Sequence, residues 1–179
     1  YKIVQFADLS FNGLAAHTAT GTMMTILSNR ISYCLDLNGP SMSVDTACSS
    51  SLVTVHLACQ SLISGESSVA LAGGVLLHMT PQYTITESKG GFLSPEGLSR
   101  TYDADANGYV RSEGVGVVAL KRLDDALRDG DPIHAVIAGS GVNQDGRTKG
   151  ITVPNGDAQT RLINKVCADA GVNPGELQY

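Results

Sequence analysis

The sequence predicts an α/β layered domain. A short alternating run at 41–46 passes directly into a long apolar helical run that begins near Ala47. Apolar runs of strand length lie at 68–76, 115–123 and 133–140, and a run with helical spacing at 157–170 ends on Gly171. Strands interleaved with helices bury a sheet beneath helices, which is the α/β arrangement.

The elements follow in order. Met23, Met24, Ile26, Leu27, Ile31 and Cys34 fall near helical spacing, so residues 18–36 are expected to be one helix, stopped by Asn38-Gly39-Pro40. From Ser41 to Thr46 apolar and polar residues alternate: Met42, Val44 and Thr46 face one way, Ser41, Ser43 and Asp45 the other. That is a strand pattern. The helix from Ala47 carries Leu52, Val53, Val55, Leu57, Ala58, Cys59, Leu62 and Ile63, with Gly65 placed to close it. Its apolar residues nearly encircle it, so it is expected to be buried. Residues 79–112 are rich in Gly, Pro, Asp and Ser and are expected to be irregular, a length of loop that usually has a function. A strand at 115–123, a short helix at 124–128, a strand at 133–140, a polar loop at 143–155 with Gly146 and Gly150, and the helix at 157–170 complete the chain.

Composition narrows the function. The 179 residues are 42% hydrophobic and 16% charged, enough apolar material for a core and one domain's worth of chain. No apolar run approaches the roughly 18 residues that span a bilayer. The chain opens on Tyr1 without a basic and then apolar stretch, so no signal peptide is read, and it is expected to start inside a longer polypeptide. Twelve basic residues against 17 acidic ones give a net charge of −5, and the basic residues are scattered, which disfavours nucleic acid as a partner. None of Cys34, Cys48, Cys59 and Cys167 forms a CxxC pair, so a zinc site is not expected. Four unpaired thiols and the lack of an Asn-x-Ser/Thr sequon point to the cytoplasm. The 20 glycines, about 11% of the chain against a typical 7% or so, sit inside apolar segments rather than linkers, a sign of close backbone packing.

The informative segment is Val44-Asp45-Thr46-Ala47-Cys48-Ser49-Ser50-Ser51, an extended run turning straight into a helix with a cysteine in its first turn. A helix N-terminus carries partial positive charge and unpaired N–H groups. Both favour the thiolate, the nucleophilic form, and the same N–H groups can hold an oxyanion after a thioester carbonyl is attacked. Small neighbours leave a substrate room, and strand–turn–helix presentation is the device of the hydrolase nucleophile elbow. An ordinary buried cysteine is the competing reading from spacing alone. Cys34, Cys59 and Cys167 lie mid-helix on apolar faces and are read as structural. A cysteine nucleophile usually needs a histidine. His56 lies on the same helix, about 12 Å along its axis from Cys48, too far to touch it. His17, His78 and His134 have no motif around them and are read as structural, so the chain is expected to hold the nucleophile without its acid–base partners.

The run from Gly39 to Leu52, Gly-Pro-Ser-Met-Ser-Val-Asp-Thr-Ala-Cys-Ser-Ser-Ser-Leu, resembles the active-site signature of polyketide synthase ketosynthases. So do ALAGGV at 70–75, SKGGFLSP at 88–95, YDADANGYVRSEGVG at 102–116 and GSGVNQDGRTKGITVPNGDAQ at 139–159. The resemblance covers essentially the whole chain, and its Asp-Thr-Ala-Cys-Ser-Ser form is similar to type I polyketide and animal-type fatty acid synthases. It implies the thiolase fold, two α/β halves in five α-β-α-β-α layers, with residues 1–179 giving most of the N-terminal half and the start of the C-terminal half. It also implies that the family's two catalytic histidines follow after Tyr179, which makes the chain an internal fragment, inactive alone.

The resemblance further implies a two-stage acyltransfer in polyketide biosynthesis. Cys48 would take an acyl group from the phosphopantetheine thioester of an acyl carrier protein; the domain itself would bind no cofactor. A malonyl-type thioester would lose CO2, and the carbanion would attack the acyl-cysteine. The Cys48 N–H would be one oxyanion donor, Phe92 would line the acyl pocket, and Met23 and Met24 would reach a partner subunit's pocket. Dimerisation would run through the edge strand from Ser41 to Thr46. A non-elongating ketosynthase-like domain that binds or transfers acyl chains without condensing, a fatty acid synthase condensing domain and a thiolase are the alternatives. Chain-length factors and Gln-type loading domains replace the cysteine, so Cys48 stands against those.

Two motifs are set aside. Asp103-Ala104-Asp105-Ala106-Asn107-Gly108 starts like an EF-hand loop, but the bidentate Glu position is Gly114, so a turn cluster is expected instead. Gly139 and Gly141 follow a strand pattern, but the third glycine of GxGxxG would fall on Gln144, so no dinucleotide site is read.

Overall fold

The computed structural model describes residues 15–178; the opening residues read for a leader, and Tyr179, lie outside them. Two compact units make up the chain: Tyr1–Ser43 with Gly74–Val117, and Val44–Gly73 with Val118–Tyr179.

In the first unit the expected single helix over 18–36 is two, α1 at Thr18–Thr22 and α2 at Thr25–Cys34. Met23 is extended (φ −69°, ψ 129°) and separates them. The cause is local: α1 is built from threonines, alanine and a glycine, and the Thr22 hydroxyl donates back to the Thr18 carbonyl at 2.7 Å, a bond that competes with helix continuation. Cys34 closes α2 and is exposed, not mid-helix on an apolar face.

Residues 41–46 join no sheet ladder among the described residues. The alternation is nevertheless expressed. Ser41 and Ser43 both turn to α2: Ser32 Oγ donates to Ser41 Oγ at 2.8 Å, Ser43 Oγ donates to the Met24 carbonyl at 2.7 Å, and Ser43 Oγ lies 3.0 Å from Ser28 Oγ. A period-2 pattern fixes which side chains share a face, whereas a strand also needs a neighbouring backbone to bond.

The segment expected to be irregular over 79–112 contains helix α4, Gln82–Lys89, starting after Pro81. Its β-branched threonines and isoleucine hide it from propensity. Beyond it, Leu93 and Tyr109 form an isolated parallel bridge. Asp103 Oδ1 accepts the Asp105 N–H at 2.9 Å, so the acidic run is a turn bonding its own backbone. Gly108 has φ +140°, and a Cβ there would lie 2.4 Å from the Ser94 nitrogen and 2.6 Å from the Leu93 carbonyl carbon.

Strands β1, Val69–Leu76, and β2, Gly114–Lys121, pair as a two-stranded sheet, each contributing to both units. Leu123, expected at the end of a strand, instead opens helix α5, Leu123–Asp129.

The second unit also holds α3, Ser50–Ile63, entered through a 3₁₀ turn at Ala47–Ser49 and followed by Gly65 at φ +77°. Its last helix, α6, is Gly156–Ala170, with Asn155 Oδ1 capping the Ala158 N–H at 3.2 Å and Gly171 left-handed at its end. Residues 133–140, expected to be a strand, join no ladder among the described residues. They lead into a close approach on α6: a Cβ on Gly141 would lie 2.7 Å from Val166 Cγ2, and one on Gly139 would lie 3.1 Å from Val166 Cγ1. Those glycines serve packing.

The described buried side chains, Leu62, Ala72, Ala126, Ala158 and Cys167, all belong to this second unit. Helix α3 is not buried as expected: Leu62 is covered, while Leu52 is 74% and Ile63 76% exposed. Near-continuous apolarity marks every face as able to be covered, and here only part of it meets protein. Among the described residues no helix is long and apolar enough to cross a membrane.

Replacing Gly108 by alanine is expected to destabilise the fold by more than about 2 kcal/mol, because backbone atoms must move as well as the dihedral strain. Gly97→Ala, at φ +69° with open space around it, is expected to cost only about 1 kcal/mol. Urea denaturation of the two variants beside wild type checks that order.

Candidate active site

Cys48 occupies the middle of the 3₁₀ turn directly ahead of α3, two residues before the first residue of that helix rather than in its first turn, and it is exposed. Within this chain Cys48 is therefore not enclosed, unlike Cys167, which is buried. Ala47, just before it, is left-handed at φ +56°. The chain comes in through Thr46 (φ −123°, ψ 33°), turns on Ala47 and enters the helix. Four side chains bond around the turn. Asp45 Oδ1 accepts the Ala47 N–H at 3.1 Å. Ser50 Oγ accepts the Thr46 N–H at 2.9 Å and donates to the Ala47 carbonyl at 2.7 Å. Ser49 Oγ donates to the Thr46 carbonyl at 2.9 Å and lies 2.9 Å from Thr46 Oγ1. Sequence reading identified the turn and its cysteine, but not the roles of these side chains.

The histidines stand apart from the thiol. His56 Nδ1 is 2.9 Å from Ser140 Oγ, a tie between α3 and the segment packed on α6. His17 precedes α1 and is exposed. The backbone N–H of His78 donates to the Glu113 carboxylate, and its Nε2 is buried without a partner among the described residues. His134 is exposed.

Cys48 lies in the second unit, while Met23, Met24 and Phe92 lie in the first. The methionines form the junction between α1 and α2, and they are exposed. Phe92 is half exposed and held on both sides of its backbone: its N–H donates to the Glu87 carbonyl at 3.0 Å, and its carbonyl accepts the Tyr109 N–H at 3.0 Å. Its ring lies over Gly90, where a Cβ would come within 2.7 Å of Cε2. A polar cluster locks this arrangement. Glu87 Oε2 accepts the Tyr109 hydroxyl at 2.6 Å and pairs with the Arg111 guanidinium. Arg111, followed by the Tyr109 hydroxyl, holds the Glu87 carboxyl below the usual carboxylate range, against the smaller opposing effect of burial. Glu87 and Arg111 are 24 residues apart with α4 unforeseen between, so sequence spacing carried no signal for the pair.

The chain that carries this turn is similar to known proteins. The chain matches the family model "Beta-ketoacyl synthase, N-terminal domain" over residues 5–126 and "Beta-ketoacyl synthase, C-terminal domain" over residues 134–179. It belongs to the β-ketoacyl synthase family. Among the family's members, the partially reducing polyketide synthase tpeA of Talaromyces stipitatus is 49% identical over 179 residues, 100% of this chain and 7% of that protein. The hybrid PKS-NRPS synthetase xenE of Xenoacremonium sinensis is 56% identical over 171 residues, 96% of this chain and 4% of that protein. Of the solved structures, the ketosynthase from module 6 of the bacillaene synthase of Bacillus subtilis 168 superposes with a TM-score of 0.84 at 46% identity, covering 87% of this chain and 28% of that one. The oxazolomycin ketosynthase domain OzmH KS7 of Streptomyces albus JA3453 gives 0.84 at 43% identity, with 87% and 27% covered. The fold is the thiolase-like α/β fold of these ketosynthases, and this β-ketoacyl synthase chain spans less than a tenth of the curated relatives quoted.

The Glu87 cluster makes stability pH-dependent with a defined sign. A carboxylate whose folded value is depressed stabilises the protein above the ordinary value of 4.5 and loses that contribution as pH falls through the lower folded value. The stability advantage of wild type over Glu87→Gln is therefore expected to be full at pH 6 and to shrink below about pH 4.5. Thermal melting of both proteins from pH 6 to pH 3 checks it.

Proposed function

We propose that this chain is part of a ketosynthase domain of a type I polyketide synthase and that Cys48 is its acyl-accepting nucleophile. The observation that carries the reading is the exposed thiol, set on a left-handed turn at the head of a 14-residue helix. The Cys48 thiolate attacks the thioester carbonyl of an acyl group on the phosphopantetheine arm of an acyl carrier protein. A C–S bond to Cys48 forms, the C–S bond to the carrier breaks, and the carrier sulfur leaves as a thiolate that takes a proton from water. A malonyl-type thioester then loses its carboxylate as CO2, and the electron pair of the broken C–C bond stays on the α-carbon. That carbon attacks the acyl-cysteine carbonyl, and collapse of the tetrahedral intermediate returns the Cys48 thiolate. The family's two histidines, placed by resemblance in a longer polypeptide that carries this chain, assist the decarboxylation.

The Cys48 N–H contributes to the oxyanion site, next to a helix N-terminus whose dipole favours negative charge. Phe92 lines the acyl pocket, and Met23 and Met24 reach that of a partner subunit; the resemblance of the segment at 88–95 supports the first role, and the exposure of the three side chains leaves them available for both. Residues 41–46 form the edge through which two copies dimerise, and the protein works in the cytoplasm.

Intact-mass spectrometry of the parent synthase after incubation with an acyl thioester tests the reading. One acyl adduct that maps to the Cys48 peptide and disappears in Cys48→Ala is expected. A folded wild type that takes up no acyl group, or takes it up on another residue, would falsify it.

A further inference from the structure

Ala47 adopts a backbone conformation that an L-residue with a Cβ disfavours, and it persists only where its surroundings determine it. Those surroundings are side chains on both sides of one residue. Asp45 takes the Ala47 N–H at 3.1 Å. Ser50 takes the Ala47 carbonyl at 2.7 Å with its hydroxyl proton and receives the Thr46 N–H on the same oxygen at 2.9 Å. One hydroxyl thus closes around residue 47 from both ends, with its donor and an acceptor site both used. Ser49 spends its proton on the Thr46 carbonyl at 2.9 Å, so the 2.9 Å contact with Thr46 Oγ1 runs from Thr46 to Ser49. Ser50 is not acting as a helix cap. A cap accepts from N–H groups further into the helix, whereas the Ser50 oxygen accepts from residue 46, upstream, and α3 has no side-chain cap bond at its start.

We propose that Ser50, with Asp45 on the other side of Ala47, is the positioning residue of Cys48. It holds the left-handed turn that presents the thiol ahead of α3, and it acts through backbone atoms without touching the acyl group. This rests on the reading of Cys48 as the acyl acceptor, and it adds the groups that keep Cys48 in place.

The test compares Ser50→Ala, Ser50→Thr, Asp45→Ala and, as control, Ser51→Ala, whose hydroxyl makes none of these bonds, in the parent synthase. Two rates are read by peptide mass mapping: alkylation of Cys48 by iodoacetamide and its acylation by an acyl thioester. Ser50→Ala is expected to slow both about tenfold through misplacement of the thiol. Ser50→Thr, which keeps the hydroxyl, should stay within about threefold of wild type, Asp45→Ala should fall about threefold, and Ser51→Ala should match wild type. A purely structural contribution to the helix gives the opposite order, since alanine is a better helix former than threonine. Folded Ser50→Ala at the wild-type rate, or Ser50→Thr as slow as Ser50→Ala, overturns the proposal. If Ser50→Ala does not fold, the exposed Asp45→Ala decides, and a wild-type rate there overturns it. Alkylation that follows the expected order while wild type takes up no acyl group sinks the acyl-acceptor reading and leaves the positioning intact; equal acylation of wild type and Ser50→Ala does the reverse.

Discussion

Where Cys48 can reach depends on where α3 begins, and α3 is held by polar ties more than by a dry core. Thr54 Oγ1 donates to the Gly73 carbonyl of β1 at 3.3 Å, His56 meets Ser140 at 2.9 Å, and Arg122 Nη1 donates to the Leu62 carbonyl at 3.0 Å. The last of these places a cation on a carbonyl of the final helical turn, where intrahelical donors run out and the dipole is negative. Arg122 is itself held by Asp125 on α5, at 2.7 Å through Nε and 2.6 Å through Nη2. Ser140 stands between Gly139 and Gly141, the two residues that let the chain close on α6. So one helix is fixed at its middle to a strand and to a glycine-packed segment, and at its end to a neighbouring helix. With neutral hydrogen bonds worth about 1 kcal/mol each, no single tie dominates. Their value is that they act on different turns of the helix and leave it little freedom to slide or rotate.

A helix fixed in this way makes the turn ahead of it demanding. The chain must change direction within one residue, and a left-handed dihedral does that. Glycine would adopt it without a steric penalty but would also leave the turn free to take other conformations. Alanine carries the smallest Cβ and accepts the strain only while its N–H and carbonyl are held. The side chains at 45 and 50 do so from either side, which converts a local weakness into a single geometry. The same logic appears at Gly108, where the opposite solution is used: the backbone of Leu93 and Ser94 comes so close that no side chain fits at all.

Legibility in the sequence followed the type of signal. Helix α3 and Gly65, helix α6 between Asn155 and Gly171, and strand β1 were readable because periodicity and end signals agreed within each segment. The break at Met23 was not, since apolar spacing continues through it while the opposing signal, a threonine hydroxyl returning to its own helix, is a matter of rotamer. Helix α4 was hidden by Gln82-Tyr83-Thr84-Ile85-Thr86, residues that favour strands as readily as helices. At 41–46 and 133–140 the alternation or apolarity is genuine, yet a ladder is a property of two segments and no single run encodes its partner. The Gly39 to Leu52 resemblance singled out Cys48, the proposed acyl acceptor, whereas the groups that shape its turn are hydrogen-bonded serines that look like ordinary polar residues until their partners are seen.

Those serines share a physical purpose. The role proposed for Cys48 leaves no room for bulky side chains around it, yet a turn stripped of bulk loses the packing that normally fixes a conformation. Hydroxyl groups resolve the conflict: each occupies little volume and makes one or two directed bonds. Ser41 and Ser43 are tied to α2, and Thr46, Ser49 and Ser50 close the turn around Ala47. Backbone geometry is therefore set by bonds of fixed direction, and the thiol stays exposed. Replacing the hydroxyls with larger apolar residues would supply packing and cover the thiol; replacing them with alanine would leave it exposed and release the turn. A run of small hydroxyl residues flanking a single cysteine is what satisfies both demands.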